Sequence, residues 1–323
     1  MSRRSYVIKR IAFSVFALYL VLSVTFGFIA LTADPGVAQA AYGAAQSARN
    51  HRLNATEQKA YVHEAIEQYK EEHDLNEPVW KSYLNWLVDI TTFHWGRSHT
   101  HHGTPVITLL EGAIPATLRY VVPAMLFALV GGIGLGVYSA LHPGSIVERI
   151  VTGGSYVGLG VPSYWIVVVA GPGILGLTET LHQFTPHVQT VLLSSVLGIS
   201  LLAGQLRYAR AESREYVYRE FVKLLRAKGA SNRRVARHIL RNAAIPLLSL
   251  FFADLIGTLV VNVFVLESVT GVGGIGSLGL GAIQQRDLPL ILGVAMVIAF
   301  VGILGNLFQD LAYVGLDPRV ESE

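Results

Sequence analysis

Cysteine is absent from the 323 residues, which excludes disulfide frameworks, thiolate zinc sites and cysteine nucleophiles. Charge is scarce as well: 15% of residues are Asp, Glu, Lys or Arg, against 52% hydrophobic ones and a mean hydropathy of +0.46. A soluble core of this size cannot absorb that much apolar surface, so the bilayer is the expected solvent. No GxxxxGK[ST] pattern occurs. The glycine-rich stretch 271–281 has no lysine and Lys228-Gly229 has the order reversed, so the chain cannot cradle a nucleoside triphosphate by that route. No internal repeat of fixed period is present.

What the chain does have is long apolar runs. The first, Ile11 to Leu31, follows the bases Arg3, Arg4, Lys9 and Arg10. It is longer than the ~7–15 residues of a signal-peptide core, so despite the cleavage-like Ala38-Gln39-Ala40 it reads as a retained membrane helix. Five more runs follow, Tyr120 to Leu141, Gly154 to Leu177, Val188 to Leu206, Ala244 to Leu266 and Leu288 to Val314, making six expected spans. The net charge of +3 and pI near 9.0 come from a few loops, which argues against nucleic acid as partner. The loop Arg207–Arg241 holds eleven bases against three acids, while 34–117 holds six bases against ten acids. By the positive-inside rule the basic loop and both termini are cytoplasmic, and 34–117 is outside. Residues 1–33 are then a tail and first helix, 34–117 an extracytoplasmic insertion, 118–314 a membrane core containing a cytoplasmic loop at 207–245, and 315–323 a cytoplasmic tail.

Within the insertion, Asn54 and Glu57 form a capping box, and Tyr61, Ala65 and Tyr69 put a narrow apolar stripe on a charged helix. Asn54-Ala55-Thr56 also has the pattern of a glycosylation acceptor. His94, His99, His101 and His102 have spacings that zinc, copper or nickel could use. Without an ordered carboxylate they read as a solvated polar loop, and no metal or other cofactor is expected. In the membrane core, Gly132 and Gly136 have the small-xxx-small spacing that lets helices approach, read here as packing within the chain. Asp254 lies deep in the fifth run, where a carboxylate needs a water-filled pathway or a polar partner such as Asn262 or Asn306. Arg119 and Asp310 sit near span ends. The 271–281 stretch reads as a tight re-entrant turn.

The basic loop has internal order. No proline or glycine interrupts Ala211 to Ala227, predicting one helix there, broken at Gly229, where the chain can take a positive φ. Ser231 or Asn232 then caps a second helix, and Pro246 opens the fifth span. Charge alone would also suit attraction to anionic lipid. The residues narrow it. Glu215-Tyr216-Val217, Glu220-Phe221-Val222-Lys223, Arg226-Ala227-Lys228-Gly229-Ala230-Ser231 and the run His238 to Pro246 resemble the signature loop of dipeptide and oligopeptide ABC transporter permeases. Further likenesses lie at Pro105-Val106, Pro115 to Leu118, Pro162 to Trp165, Glu267 with Gly274-Ile275-Gly276, Ala282-Ile283, Arg286-Asp287 and Leu316 to Arg319. Only about Asp34 to Asn85 has no counterpart in these likenesses. Two departures stand out: Phe221 where the family usually has tyrosine, and Val272-Gly273 where it has an aromatic and a proline.

The resemblance implies an all-α, six-helix permease of type I ABC importer fold, with the insertion after its first helix. It implies import of a small solute, di- or oligopeptides foremost, with nickel or an oligosaccharide as alternative cargo. The implied partners are a homologous second permease, two ATP-binding subunits that hydrolyse ATP in this chain's stead, and an extracytoplasmic solute-binding protein. The implied coupling residues are Glu215, Glu220, Phe221, Arg226, Ala227, Lys228, Gly229, Ala230, His238, Arg241, Asn242 and Pro246; Asp254, Asn262 and Glu267 are candidates for the translocation pathway. The chain itself carries no catalytic residues. An ion-coupled secondary transporter would need acids at matching depths in two halves, and an intramembrane enzyme would need paired aspartates or a facing Ser and His; neither pattern occurs.

Overall fold

A computed structural model describes residues 3–31, 35–72, 76–175 and 186–316; within these, the side chains of 3–4, 29, 35, 170–175, 186, 250, 253–256, 258–260 and 313–316 are outside the description. The described residues are mostly helical, joined by short turns and loops, with no strand and a single isolated bridge between Arg97 and Pro105. The expected tail motif Leu316 to Arg319 falls largely outside them.

The chain divides into two units, 1–18 with 96–323, and 19–95. The smaller unit takes the second half of α1 (Arg3–Leu31), then α2 (Pro35–Asn50), α3 (Ala55–Glu72) and α4 (Val79–Thr91). The start of α3 forms as its residues dictate: Asn54 Oδ1 accepts from the Glu57 N–H at 2.9 Å, and the Asn54 N–H donates to Glu57 Oε2 at 2.9 Å. The Tyr61, Ala65, Tyr69 stripe lines one cleft together with Ala40, Ala44 and Ser47 of α2, a helix the apolar pattern did not announce. On α4, Tyr83 and Trp86 pack against Phe26 of α1 with ring centroids 5.2 and 5.5 Å apart, and the Tyr83 hydroxyl bonds Ser23 Oγ at 2.6 Å.

The larger unit is built on α5 (Val106–Leu141), followed by α6 (Ile146–Gly160), α7 (Ser163–Leu175), α8 (Pro186–Val217), α9 (Glu220–Ala227), α10 (Asn232–Gly257), α11 (Phe264–Thr270), α12 (Ile275–Gln285) and α13 (Leu288–Leu316). A π-helical segment, Thr258–Val263, joins α10 to α11. Glycines seat α5 on α8. A Cβ at Gly132 would stand 2.8 Å from Gln205 Cβ, and one at Gly136 2.6 Å from Ala209 Cβ and 2.8 Å from the Leu206 carbonyl, so the two backbones approach only because these residues lack one. Tyr120, Val121 and Ala124 of α5, Val167 of α7, Leu193 and Leu197 of α8, and Val263 and Leu266 form a common buried core.

Among the described residues four helical segments are long and apolar enough to cross a membrane: 5–28, 106–141, 187–217 and 288–312. A fifth arises if 261–270 and 275–285, bent by 85°, count as one broken span. The expected third span, Gly154 to Leu177, is split between α6 and α7 at Val161-Pro162, because proline withholds an N–H and disfavours helix in the residue before it. Pro246, expected to open the fifth span, instead lies inside α10, which runs on from Asn232 without a stop. Arg10 pairs with Asp310 at 3.2 Å, giving a charge at one span end a partner on another helix.

Candidate functional site

Two turns in the larger unit hold most of the residues that the sequence singled out as candidates. The first is in the basic loop. One helix was expected from Ala211 to Ala227, but α8 ends at Val217 and Arg219 is extended, with φ −71° and ψ 152°. Neither Tyr218 nor Arg219 breaks helices. The break follows from packing: it turns α9 so that Val222 is fully buried with Val137 and Leu141 of α5 and Val235 and Ile239 of α10. Phe221, Leu225 and Ala230 pack around that cluster.

α9 ends in a Schellman turn. The Gly229 N–H donates to the Arg226 carbonyl at 2.9 Å and the Ala230 N–H to the Leu225 carbonyl at 3.0 Å, with Gly229 at φ +74°. A Cβ on Gly229 would meet nothing within 4 Å, so torsion alone calls for glycine here. The next helix begins after Ser231, whose carbonyl accepts from the Arg234 and Val235 N–H groups.

The face of α9 turned away from the cluster is exposed and mixed in chemistry. Tyr218 is 73% and Leu224 56% exposed, flanked by exposed Arg219, Glu220, Lys223, Arg226, Ala227 and Lys228. Glu215 pairs with Arg219, whose guanidinium lies 5.3 Å from the Tyr216 ring centroid. On α10, His238, Arg241 and Asn242 are exposed; the Asn242 carbonyl accepts from the Tyr216 hydroxyl at 3.3 Å and its amide donates to the His238 carbonyl at 2.8 Å. The structure thus brings Glu215 to Asn242 onto one helix-turn-helix, with Pro246 a turn further along α10.

The second turn, 271–274, joins α11 to α12 and is held by Glu267, which is fully buried. Its Oε1 accepts from Thr117 Oγ1 at 2.6 Å and the Tyr120 hydroxyl at 2.9 Å, both on α5. Its Oε2 accepts from the Gly276 and Ser277 N–H groups at the start of α12, at 2.7 and 3.1 Å. A buried carboxylate with four donors is fully satisfied. A Cβ on Gly274 would collide with the Glu267 carboxylate and Thr117 Oγ1, and one on Gly276 would lie 2.7 Å from Phe264 Cα.

The other candidate pathway residues are Asn262 and Asp254. Asn262, half-buried in the π-helical segment, accepts from Ser163 Oγ at 2.8 Å. Asp254 falls on α10, but its side chain lies outside the described residues.

Sequence reasoning missed two polar groups. Asp287, buried at the start of α13, accepts from Ser98 Oγ at 2.5 Å, Thr100 Oγ1 at 2.7 Å and the Thr100 N–H at 3.1 Å. Burial alone would raise its pKa, but hydrogen bonds from Ser98, Thr100 and the His99 backbone outweigh it and hold the carboxyl down at about 2. His101 Nδ1 joins the same knot through Ser98 Oγ at 2.9 Å. Among the described residues no three His, Asp or Glu side chains are grouped to hold a metal ion. The second group is Glu148 of α6, which is buried and pairs with Arg210, with Arg214 3.8 Å away. Ser145, whose Oγ accepts from the Glu148 N–H at 3.1 Å, is the sequence signal that could have located that helix start.

Comparison with known proteins adds to this geometry. A profile of the binding-protein-dependent transport system inner membrane component family matches residues 132–322. The oligopeptide transport system permease protein AppB of Bacillus subtilis is 31% identical over 268 residues, covering 79% of this chain and 84% of that protein. The metal-staphylopine import system permease protein CntB of Staphylococcus aureus is 28% identical over 260 residues, covering 80% of this chain and 83% of its own. The dipeptide transport system permease protein DppB of Lactococcus lactis is 26% identical over 321 residues and covers 98% of both chains, so that alignment also runs through the 34–85 segment.

Proposed function

The chain belongs to the binding-protein-dependent transport system inner membrane component family, and from that premise we propose that it is the permease subunit through which an ABC importer moves di- or oligopeptides across the cytoplasmic membrane. In this reading six spans form the core, both termini and the 207–245 loop are cytoplasmic, and 34–117 is extracytoplasmic. A homologous second permease completes the pathway, two ATP-binding subunits supply the energy, and a solute-binding protein delivers cargo. The chain performs no chemistry of its own. The cytoplasmic placement rests on the net charge of the basic loop, and the peptide cargo on the relatives of AppB and DppB type. The CntB relative supports a second cargo, metal-staphylopine.

The observation that carries the proposal is the short helix α9, packed on α5 and α10 through Val222, with Leu224, the preceding Tyr218 and a ring of bases exposed. Apolar anchors rimmed by charge suit a protein groove better than a lipid headgroup layer. We assign ATPase docking to this face. Glu267, with both oxygens engaged, acts as a clamp on the 271–274 turn, leaving Asn262 and Asp254 as the pathway candidates. Replacing Leu224 with Asp should leave the chain in the membrane but abolish co-purification of the ATP-binding subunit and peptide-stimulated ATP hydrolysis. Full retention of both would overturn the docking assignment.

A further inference from the structure

α4 has three faces rather than two. Tyr83 and Trp86 pack against Phe26 of α1, and Ile90, on the same face of the helix, is buried. One sector round, Trp80, Leu84 and Val88, spaced four residues apart, are 66%, 52% and 59% exposed. Beyond them Asn85 and Asp89 are exposed and polar. A water-soluble helix would have its second face polar too; here an exposed apolar stripe lies between the packed face and the polar one.

Depth identifies what covers that stripe. The Tyr83 hydroxyl meets Ser23, and Phe26 sits between the Tyr83 and Trp86 rings. Both Ser23 and Phe26 belong to the apolar span 5–28 of α1, with Ser23 five residues from its end. At 1.5 Å per residue that contact lies about 7 Å inside the end of the span. Interfacial helices bury their apolar face about 5–10 Å into the headgroup and acyl boundary, the same depth. The stripe starts with a tryptophan, the side chain that favours this layer, and its neighbour Val79 is also 66% exposed.

We propose that α4 is an interfacial helix whose Trp80, Leu84 and Val88 face is covered by membrane lipid, on the side of the bilayer where α1 ends, while Asn85 and Asp89 face water. The insertion is thereby moored to the membrane at a second point beyond its chain connection. This inference is independent of cargo and of the ATPase docking surface.

Because the chain has no cysteine, single spin labels can be introduced without removing native thiols. Labels at Trp80→Cys, Leu84→Cys, Val88→Cys, Asn85→Cys and Asp89→Cys all occupy exposed positions, and only Asn85 gives up a side-chain hydrogen bond, a long one to Glu77 at 3.5 Å. With the full-length chain in lipid nanodiscs, collision rates with oxygen and with a water-soluble nickel chelate report depth. The expected result is an oxygen-to-nickel ratio several-fold higher at 80, 84 and 88 than at 85 and 89. Equal nickel accessibility at all five positions would place the stripe in water and overturn the proposal. Low accessibility to both reagents at 80, 84 and 88 would mean a protein partner covers it, and would overturn it equally.

Discussion

The turns at Gly229 and at 271–276 both depend on glycine, for opposite physical reasons. Gly229 stands in open space and is needed for its φ of +74°. Gly274 has an ordinary negative φ of −105° and Gly276 is helical, yet neither has room for a methyl group. The first turn is held by backbone hydrogen bonds and by one buried valine beneath it, and its surface is exposed. The second is closed over a buried carboxylate with every acceptor used. A turn that must engage a partner benefits from a free surface, whereas a turn locked from beneath keeps one conformation; the contrast fits the docking role proposed for the first turn and a structural one for the second.

The sharpest way to break this contrast is at Glu267. Glu267→Ala strands the Thr117 and Tyr120 hydroxyls and two backbone N–H groups, an expected loss of about 3–5 kcal/mol that thermal unfolding in detergent would register. Unchanged melting would remove the clamp. At Gly276 the cost should grow with side-chain size: Ala about 1–3 kcal/mol, larger residues more, because the obstacle is the Phe264 backbone.

Asp287 sharpens the picture of the 98–100 loop beside α13. Its pKa is depressed in the folded state, so its contribution, about 2 kcal/mol, is present above the ordinary aspartate value near 4 and lost as pH falls toward about 2. Asp287→Asn should remove that acid-labile part of the unfolding curve, and an unaltered curve would count against it. The smallest stability change is expected at Gly229, where Ala and Leu should cost alike, about 1–2 kcal/mol, since strain and not crowding is at issue. A β-branched residue there should leave the chain in the membrane while uncoupling ATP hydrolysis from uptake; normal uptake would contradict the role of the turn.

How much of this was legible depended on distance along the chain. The Asn54–Glu57 box and the Gly229 turn are written within a few residues, and both have the geometry their residues dictate. The break at Tyr218-Arg219 is not, because nothing local forbids helix there; it exists so that Val222 can reach Val137 and Ile239. Glu267 drew notice through the likeness to the permease family and as a candidate pathway residue, but its α5 donors lie 150 and 147 residues away and no spacing reveals them. α2 hid behind its alanines, which give a helix little apolar contrast. The proline at 246 was misread as a boundary, since within α10 the helix continues through it.

One consequence lies in α5. The same unbroken helix supplies Thr117 and Tyr120 to the carboxylate clamp and Val137 and Leu141 to the seat of α9. Those two stations are about 30 Å apart at 1.5 Å per residue, roughly the thickness of the hydrocarbon layer. One helix thus links the seat of α9 to the carboxylate clamp, so that a displacement at either station loads the other, and Pro123, between them, is the point where that shaft can bend.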